Sequence, residues 1–139
     1  MDDRLLFLMS RAHSKLTQYL KSQFKAQGMD ISPGQVGILF LLGQRDLLPM
    51  SELSNILEID NSAITRVVDR LEKSGLVIRQ PNPEDRRQYL IGITDKGMEL
   101  ASKAKEIANS ANDKIKEGFS DLEISVFQRV MASFGPKFG

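Results

Sequence analysis

The chain has 139 residues, 41% of them hydrophobic and 27% charged, which is the composition of one globular domain and not of a disordered segment. It has no cysteine and a single histidine, His13. Disulfides, thiolate chemistry and thiol redox sensing are therefore excluded, a zinc site would need carboxylates for nearly all its ligands, which is uncommon, and no metal or cofactor is expected. A net charge of +1 is too small to attract a polyanion through the field of the whole molecule, so any such contact must come from locally placed cations.

Apolar residues recur at Leu5, Leu8/Met9, Ala12, Leu16, Tyr19/Leu20 and Phe24, which predicts a long amphipathic helix over residues 3–27 ended by Gly28. Its start, residues 5–9, is apolar on too many faces to stand in water and needs a covering surface, in the same chain or another. Acids precede this run and no small-residue cleavage site follows, so a signal peptide is the weaker reading. No run approaches the roughly 18 apolar residues of a membrane span, and the cytoplasm is the expected location. Ser32-Pro33-Gly34-Gln35 reads as a capping box with proline at the first helical position. The helix it opens, to about Gln44, is apolar on most faces and should be the most buried.

Pro49-Met50-Ser51-Glu52 starts a short helix, with Ser51 as the predicted N-cap and Leu53, Ile56 and Leu57 inward. Asp60 offers a further N-cap for a helix over residues 61–74, and Gly75 suits its end. Two short helices across a tight turn make a helix-turn-helix outline. Residues 76–80 and 88–93 read as paired strands joined by a polar loop, with Gly92 expected to weaken the second strand or mark a bulge. Thr94 caps a helix to about Lys116 with a stripe of Met98, Ala101, Ala104, Ala108, Ala111 and Ile115. Ser120 and Glu123 form a second capping box, opening a last helix with Leu122, Val126/Phe127, Val130/Met131 and Phe134 inward.

Residues 60–77, Asp-Asn-Ser-Ala-Ile-Thr-Arg-Val-Val-Asp-Arg-Leu-Glu-Lys-Ser-Gly-Leu-Val, resemble the recognition helix and following strand of the MarR family. Asp85-Arg86-Arg87 followed by Ile91-Gly92-Ile93-Thr94-Asp95-Lys96-Gly97 resembles that family's wing and helix start. The two blocks, in order and correctly separated, make a strong joint signal, while the outer helices match by pattern alone. Glu58 departs from the family, which often carries glycine at that turn, and this puts a strained left-handed residue in prospect. The resemblance implies a mainly α fold with a small β-wing. A winged helix-turn-helix lobe (residues 31–94) would join a helical dimerisation lobe (1–30 and 95–139) in one domain.

On the predicted helix, Ile64, Val67, Val68 and Leu71 fall on one stripe, leaving Asn61, Ser62, Thr65, Arg66, Asp69 and Arg70 opposite. In the family's docking mode this face enters the major groove. Asn61 suits adenine, Ser62 and Thr65 donate or accept, and Arg66 suits guanine or a phosphate. The competing reading is a solvated helix face. Between Asp60 and Leu90 six basic residues oppose five acids, so position must do what charge density does not. The resemblance implies that Arg87 enters the minor groove, that Asp85 braces the wing through an ion pair, and that Arg86 meets phosphate. The alternative is an ordinary charged hairpin tip. Ser51 is placed to donate to the DNA backbone, a role compatible with a simple cap.

His13 reads first as a hydrogen-bonded structural histidine and second as a contact for an effector between the lobes. No phosphate loop, dinucleotide glycine pattern, metal-ligand spacing or Ser/His/Asp set supports an enzyme. A protein-interaction module is the other rival, opposed by the placement of Arg66, Arg70, Arg86 and Arg87. The resemblance thus implies a transcriptional regulator, expected to be a homodimeric repressor on a palindromic operator in double-stranded DNA. The absence of cysteine leaves either no effector or a small organic one, which the resemblance implies to be an aromatic acid or phenol.

Overall fold

A computed structural model describes residues 3–139. Met1 and Asp2, part of the predicted first lobe, lie outside the described residues. In chain order the elements are α1 (Asp3–Ala26), α2 (Pro33–Gln44), β1 (Leu47–Pro49), α3 (Met50–Leu57) and α4 (Asn61–Lys73). They continue with β2 (Val77–Pro81), β3 (Tyr89–Ile93), α5 (Asp95–Lys116), α6 (Asp121–Ala132) and α7 (Phe134–Phe138). These form two compact units, Met1–Ile107 and Ala108–Gly139, with α5 contributing to both. No helix among the described residues is long and apolar enough to cross a membrane.

Local chemistry sets most of the helix boundaries. Gly28 at φ +73° turns the chain after α1, and the Met29 amide donates back to the Phe24 carbonyl at 2.9 Å. The capping box of α2 is complete: the Gln35 amide donates to Ser32 Oγ at 3.3 Å and the Ser32 amide to Gln35 Oε1 at 3.0 Å. Val36, Ile38, Leu39 and Leu42 of this helix are buried. They meet Phe24, Leu53, Ile64, Val68, Leu71 and Ile91 in the core of the first unit.

The sheet has three strands, in the order β1-β3-β2, all antiparallel, where the sequence suggested a two-stranded wing. β1 pairs Leu47, Leu48 and Pro49 with Gly92, Ile91 and Leu90, so the wing's second strand is central. Gly92 neither breaks nor bulges that strand, since the register against β2 runs unbroken from Val77↔Ile93 to Pro81↔Tyr89. The reason for glycine is steric: a Cβ there would lie 2.9 Å from Leu47 Cδ2. Because β1 leads directly into α3, that helix begins two residues earlier than the predicted Ser51 cap implies. Its N-cap is Pro49, with no side-chain cap, and Ser51 sits within the first turn, its hydroxyl 3.4 Å from Gln88 Oε1.

α3 ends on Glu58, the only non-glycine residue with positive φ among the described residues (φ 53°, ψ 41°). The left-handed turn therefore forms without glycine. The Ile59 amide donates to the Ser54 carbonyl at 3.1 Å, and the Ser54 hydroxyl donates to the Ile59 carbonyl. At the start of α5, Thr94 caps as predicted, accepting from the Gly97 amide at 3.0 Å. The Thr94 hydroxyl donates to the Gly75 carbonyl at 2.7 Å, and Lys96 Nζ to the Ser74 carbonyl at 2.9 Å. A Cβ on Gly97 would lie 2.2 Å from the Leu76 carbonyl oxygen, so only glycine permits this close junction between the end of α4 and the start of α5.

In the second unit, α6 has its capping box, the Glu123 amide donating to Ser120 Oγ at 3.2 Å. The face predicted to point inward is nonetheless exposed: Leu122, Val126, Phe127, Val130 and Met131 all stand open and α6 buries no residue. The same holds for residues 5–8 of α1 in the first unit.

Candidate nucleic-acid interface

α4 forms because Asp60 caps it and an apolar stripe anchors it. Asp60 Oδ1 accepts from the Ala63 amide at 2.8 Å and from the Ser62 hydroxyl at 2.7 Å. The hydrogen bond from Ser62, then that from Ala63, hold the Asp60 carboxyl below its usual pKa, and the charge of Arg66 adds to this. Ile64, Val68 and Leu71 are buried, which turns Asn61, Ser62, Arg66 and Arg70 outward to exposed positions and leaves Thr65 half-buried. The Ser62 and Thr65 hydroxyls have both given their protons to local acceptors, Asp60 and the Asn61 carbonyl at 2.7 Å. Toward a ligand they therefore present lone pairs first. Arg66 and Arg70 have no ion-pair partner among the described residues.

The β2–β3 loop is ordered by its own side chains. Asn82 Oδ1 accepts from the Glu84 amide at 3.0 Å, and Asp85 Oδ1 from the Arg87 amide at 3.1 Å. Asp85 also pairs with the Arg87 guanidinium, Oδ1 to Nε at 3.2 Å and Oδ2 to Nη2 at 3.5 Å. The arginine side chain is 91% exposed and its partner only 32%, so the carboxylate is fixed against the loop while the cation projects from it. Arg86 beside it is exposed, with no ion-pair partner among the described residues.

Arg79 of β2 was not singled out from sequence, yet it joins the wing to α4. It pairs with Asp69, lies 3.8 Å from Glu72 through Nε, and stacks over Tyr89 at 5.5 Å. The signal was available: Arg79 is in phase with the buried Val77, and a cation at an inward strand position requires a carboxylate. Asp69 and Glu72, three residues apart, share the flank of α4 next to β2. The two flanks of α4 thus differ in charge. The acids on the wing side are engaged by Arg79, whereas Arg66, Arg70 and Lys73, on the other side, are not paired among the described residues.

His13 is exposed on α1 and makes no hydrogen bond or ion pair among the described residues, so the structural role expected of it is not seen in the single chain. Among the described residues no three His, Cys, Asp or Glu side chains cluster as metal ligands would.

Residues 31–89, which span the site from α2 to the start of β3, match the sequence profile of the MarR family. The HTH-type transcriptional regulator PapX of Escherichia coli is 30% identical over 118 residues, 85% of this chain and 70% of that protein. The chain spans about half the length of the first curated relatives it matches, 56% of one from Thauera aromatica and 50% of one from Clostridioides difficile. A MarR-family regulator from Rhodococcus sp. RHA1 superposes with TM-score 0.81 at 25% identity, over 96% of this chain and 94% of that one. The repressor CouR, solved on a 23-mer DNA duplex, shares the fold with TM-score 0.85 at 23% identity, over 94% and 92% of the two chains.

Proposed function

The chain belongs to the MarR family, and on that premise we propose that it is a sequence-specific, double-stranded-DNA-binding repressor that acts as a homodimer on a palindromic operator. The observation that carries this reading is the outer face of α4, where Asn61, Ser62, Arg66 and Arg70 are exposed beside a wing that projects Arg86 and Arg87. α4 enters the major groove by its N-terminal half, and Arg66 pairs with guanine or phosphate. Thr65 and Ser62 accept from base amino groups, and Asn61 reads adenine. Arg87, braced by Asp85, enters the minor groove, while Arg86 and Ser51 meet the backbone.

Residues 31–94 form the DNA-binding lobe, and residues 1–30 with 95–139 the dimerisation lobe. The exposed apolar faces of α1 and α6 support the second assignment, because a second copy would cover them. Derepression comes from a small organic effector that prefers the DNA-free arrangement of the lobes, by about 1–3 kcal/mol of coupling. An aromatic acid or phenol is the expected class, with His13 as one contact, since a chain without cysteine has no thiol to oxidise.

Selection of bound sequences from random duplex DNA, followed by a salt titration on the winner, tests the reading. A palindrome with half-site centres about 34 Å apart is expected. Failure to enrich any sequence would overturn it.

A further inference from the structure

The unpaired basic flank of α4 does not end with the helix. Arg70 and Lys73 form one wall of a hollow of about 490 Å³, whose facing wall carries Lys21 of α1 and Asp30 of the α1–α2 connection. A second hollow adjoins it, shares Lys21 and Asp30, and adds Lys25. The two hollows together therefore carry four cations and one carboxylate, in a chain whose net charge is only +1. None of the five side chains has an ion-pair partner among the described residues. This contrasts with the other flank of the same helix, where Arg79 engages both acids.

We infer that this groove, walled by Lys21 and Lys25 on one side and Arg70 and Lys73 on the other, is a second backbone clamp for the duplex that α4 reads. It grips phosphates on the flank of the recognition helix opposite the wing. The inference rests on the DNA-binding reading proposed above and adds to it a surface that the helix and wing alone would not supply. The occupant follows from charge and continuity. Arg66, Arg70 and Lys73 lie within about 60° of one another around the helix, at 3.6 residues per turn. The line of cations therefore starts at the base-reading end of α4 and runs unbroken into the groove. A polyanion following that line meets cations at each step, and because it is gripped by its phosphates the groove reads no sequence.

The test is the salt dependence of duplex binding by the full chain, for the parent and for the double variant Lys21→Gln/Lys73→Gln. The slope of log affinity against log salt should shrink by about 0.9 for each phosphate that is no longer neutralised, in each subunit. That reduction should be equal on the selected palindrome and on random duplex, with sequence preference unchanged. Lys21→Arg/Lys73→Arg should keep the parental slope, and Asp30→Asn, which removes the only carboxylate of the groove, should tighten binding to both duplexes. Lys103→Gln/Lys105→Gln on the exposed surface of α5 removes the same charge elsewhere and should leave the slope unchanged. All four side chains replaced by glutamine are exposed, so matching thermal transitions are expected. A parental slope in Lys21→Gln/Lys73→Gln would overturn the clamp while leaving DNA binding intact, as would an equal reduction in the α5 control. A parent that binds no duplex would overturn both readings together.

Discussion

Two helices of nearly equal length, α4 with 13 residues and α6 with 12, start alike and end in opposite circumstances. Each begins with a side chain accepting from the third backbone amide, Asp60 in one and Ser120 in the other. Each carries an apolar stripe at helical spacing. In α4 that stripe is buried, with Ile64 and Val68 at 0% exposure, whereas in α6 Leu122 stands 74% exposed and Phe127 53%. Capping and periodicity are local and tell where a helix forms, but they say nothing of what covers it. α4 completes its burial inside its own unit. α6 has no cover among the described residues, which is the observation behind the proposed dimer.

The largest expected effect breaks that contrast on the α6 side. Leu122→Asp with Phe127→Asp would place unpaired charges in the proposed isologous interface, at about 3–5 kcal/mol or more. Sedimentation at micromolar concentration should then give a species near 15.6 kDa in place of one near twice that mass. A parent that is itself monomeric would remove the reason for the contrast. The matching change in α4, Leu71→Ala, should cost about 2–5 kcal/mol in urea unfolding through cavity formation, at every protein concentration. If both substitutions gave the same dependence on concentration, the two stripes would not be doing different things.

Substitutions on the open face of α4 should leave folding alone and act on recognition. Arg66→Ala should cost about 1–3 kcal/mol at particular base positions. Arg87→Ala should weaken binding most where the flanks are A·T-rich. Footprints of both variants that match the parent would remove the assignment of this face. A smaller gain is expected from Glu58→Gly, which relieves a left-handed side-chain conformation and should stabilise by roughly 1 kcal/mol.

The smallest effect is acidic. Hydrogen bonds from Ser62 and Ala63 lower the pKa of Asp60, and those from the Ser120 amide and hydroxyl lower that of Glu123. A carboxylate whose pKa is lower folded than unfolded contributes stability above its unfolded value, and that contribution is lost as pH falls through the folded one. Below the ordinary carboxylate range both caps should weaken together. Asp60→Asn and Glu123→Gln should each flatten the acid limb of the melting curve.

What was legible in the sequence follows the same local and non-local divide. The capping boxes of α2 and α6, the Asp60 cap and the buried stripe of α4 are encoded within a few residues of each other, and the structure has all of them. β1 was not legible, because three residues cannot display an alternating pattern and the partner strand lies some forty residues further on. Missing it misplaced the start of α3 and made Ser51 a cap. Gly92 was read as a weakness because the Leu47 side chain it accommodates belongs to that same unseen strand. Arg79 was passed over because its meaning depends on Asp69 and Glu72, which neighbour it only after α4 and β2 pack. The site residues on α4 and the wing were named from a family resemblance together with the helix stripe.

Whether two copies read one palindrome is decided by sedimentation of the protein with its selected duplex, across a titration from excess DNA to excess protein. A complex of two chains per palindrome is expected even when DNA is in excess, and it should dissociate as salt is raised. A single chain bound per duplex, with affinity and sequence preference undiminished by the absence of a partner, would contradict the dimeric reading.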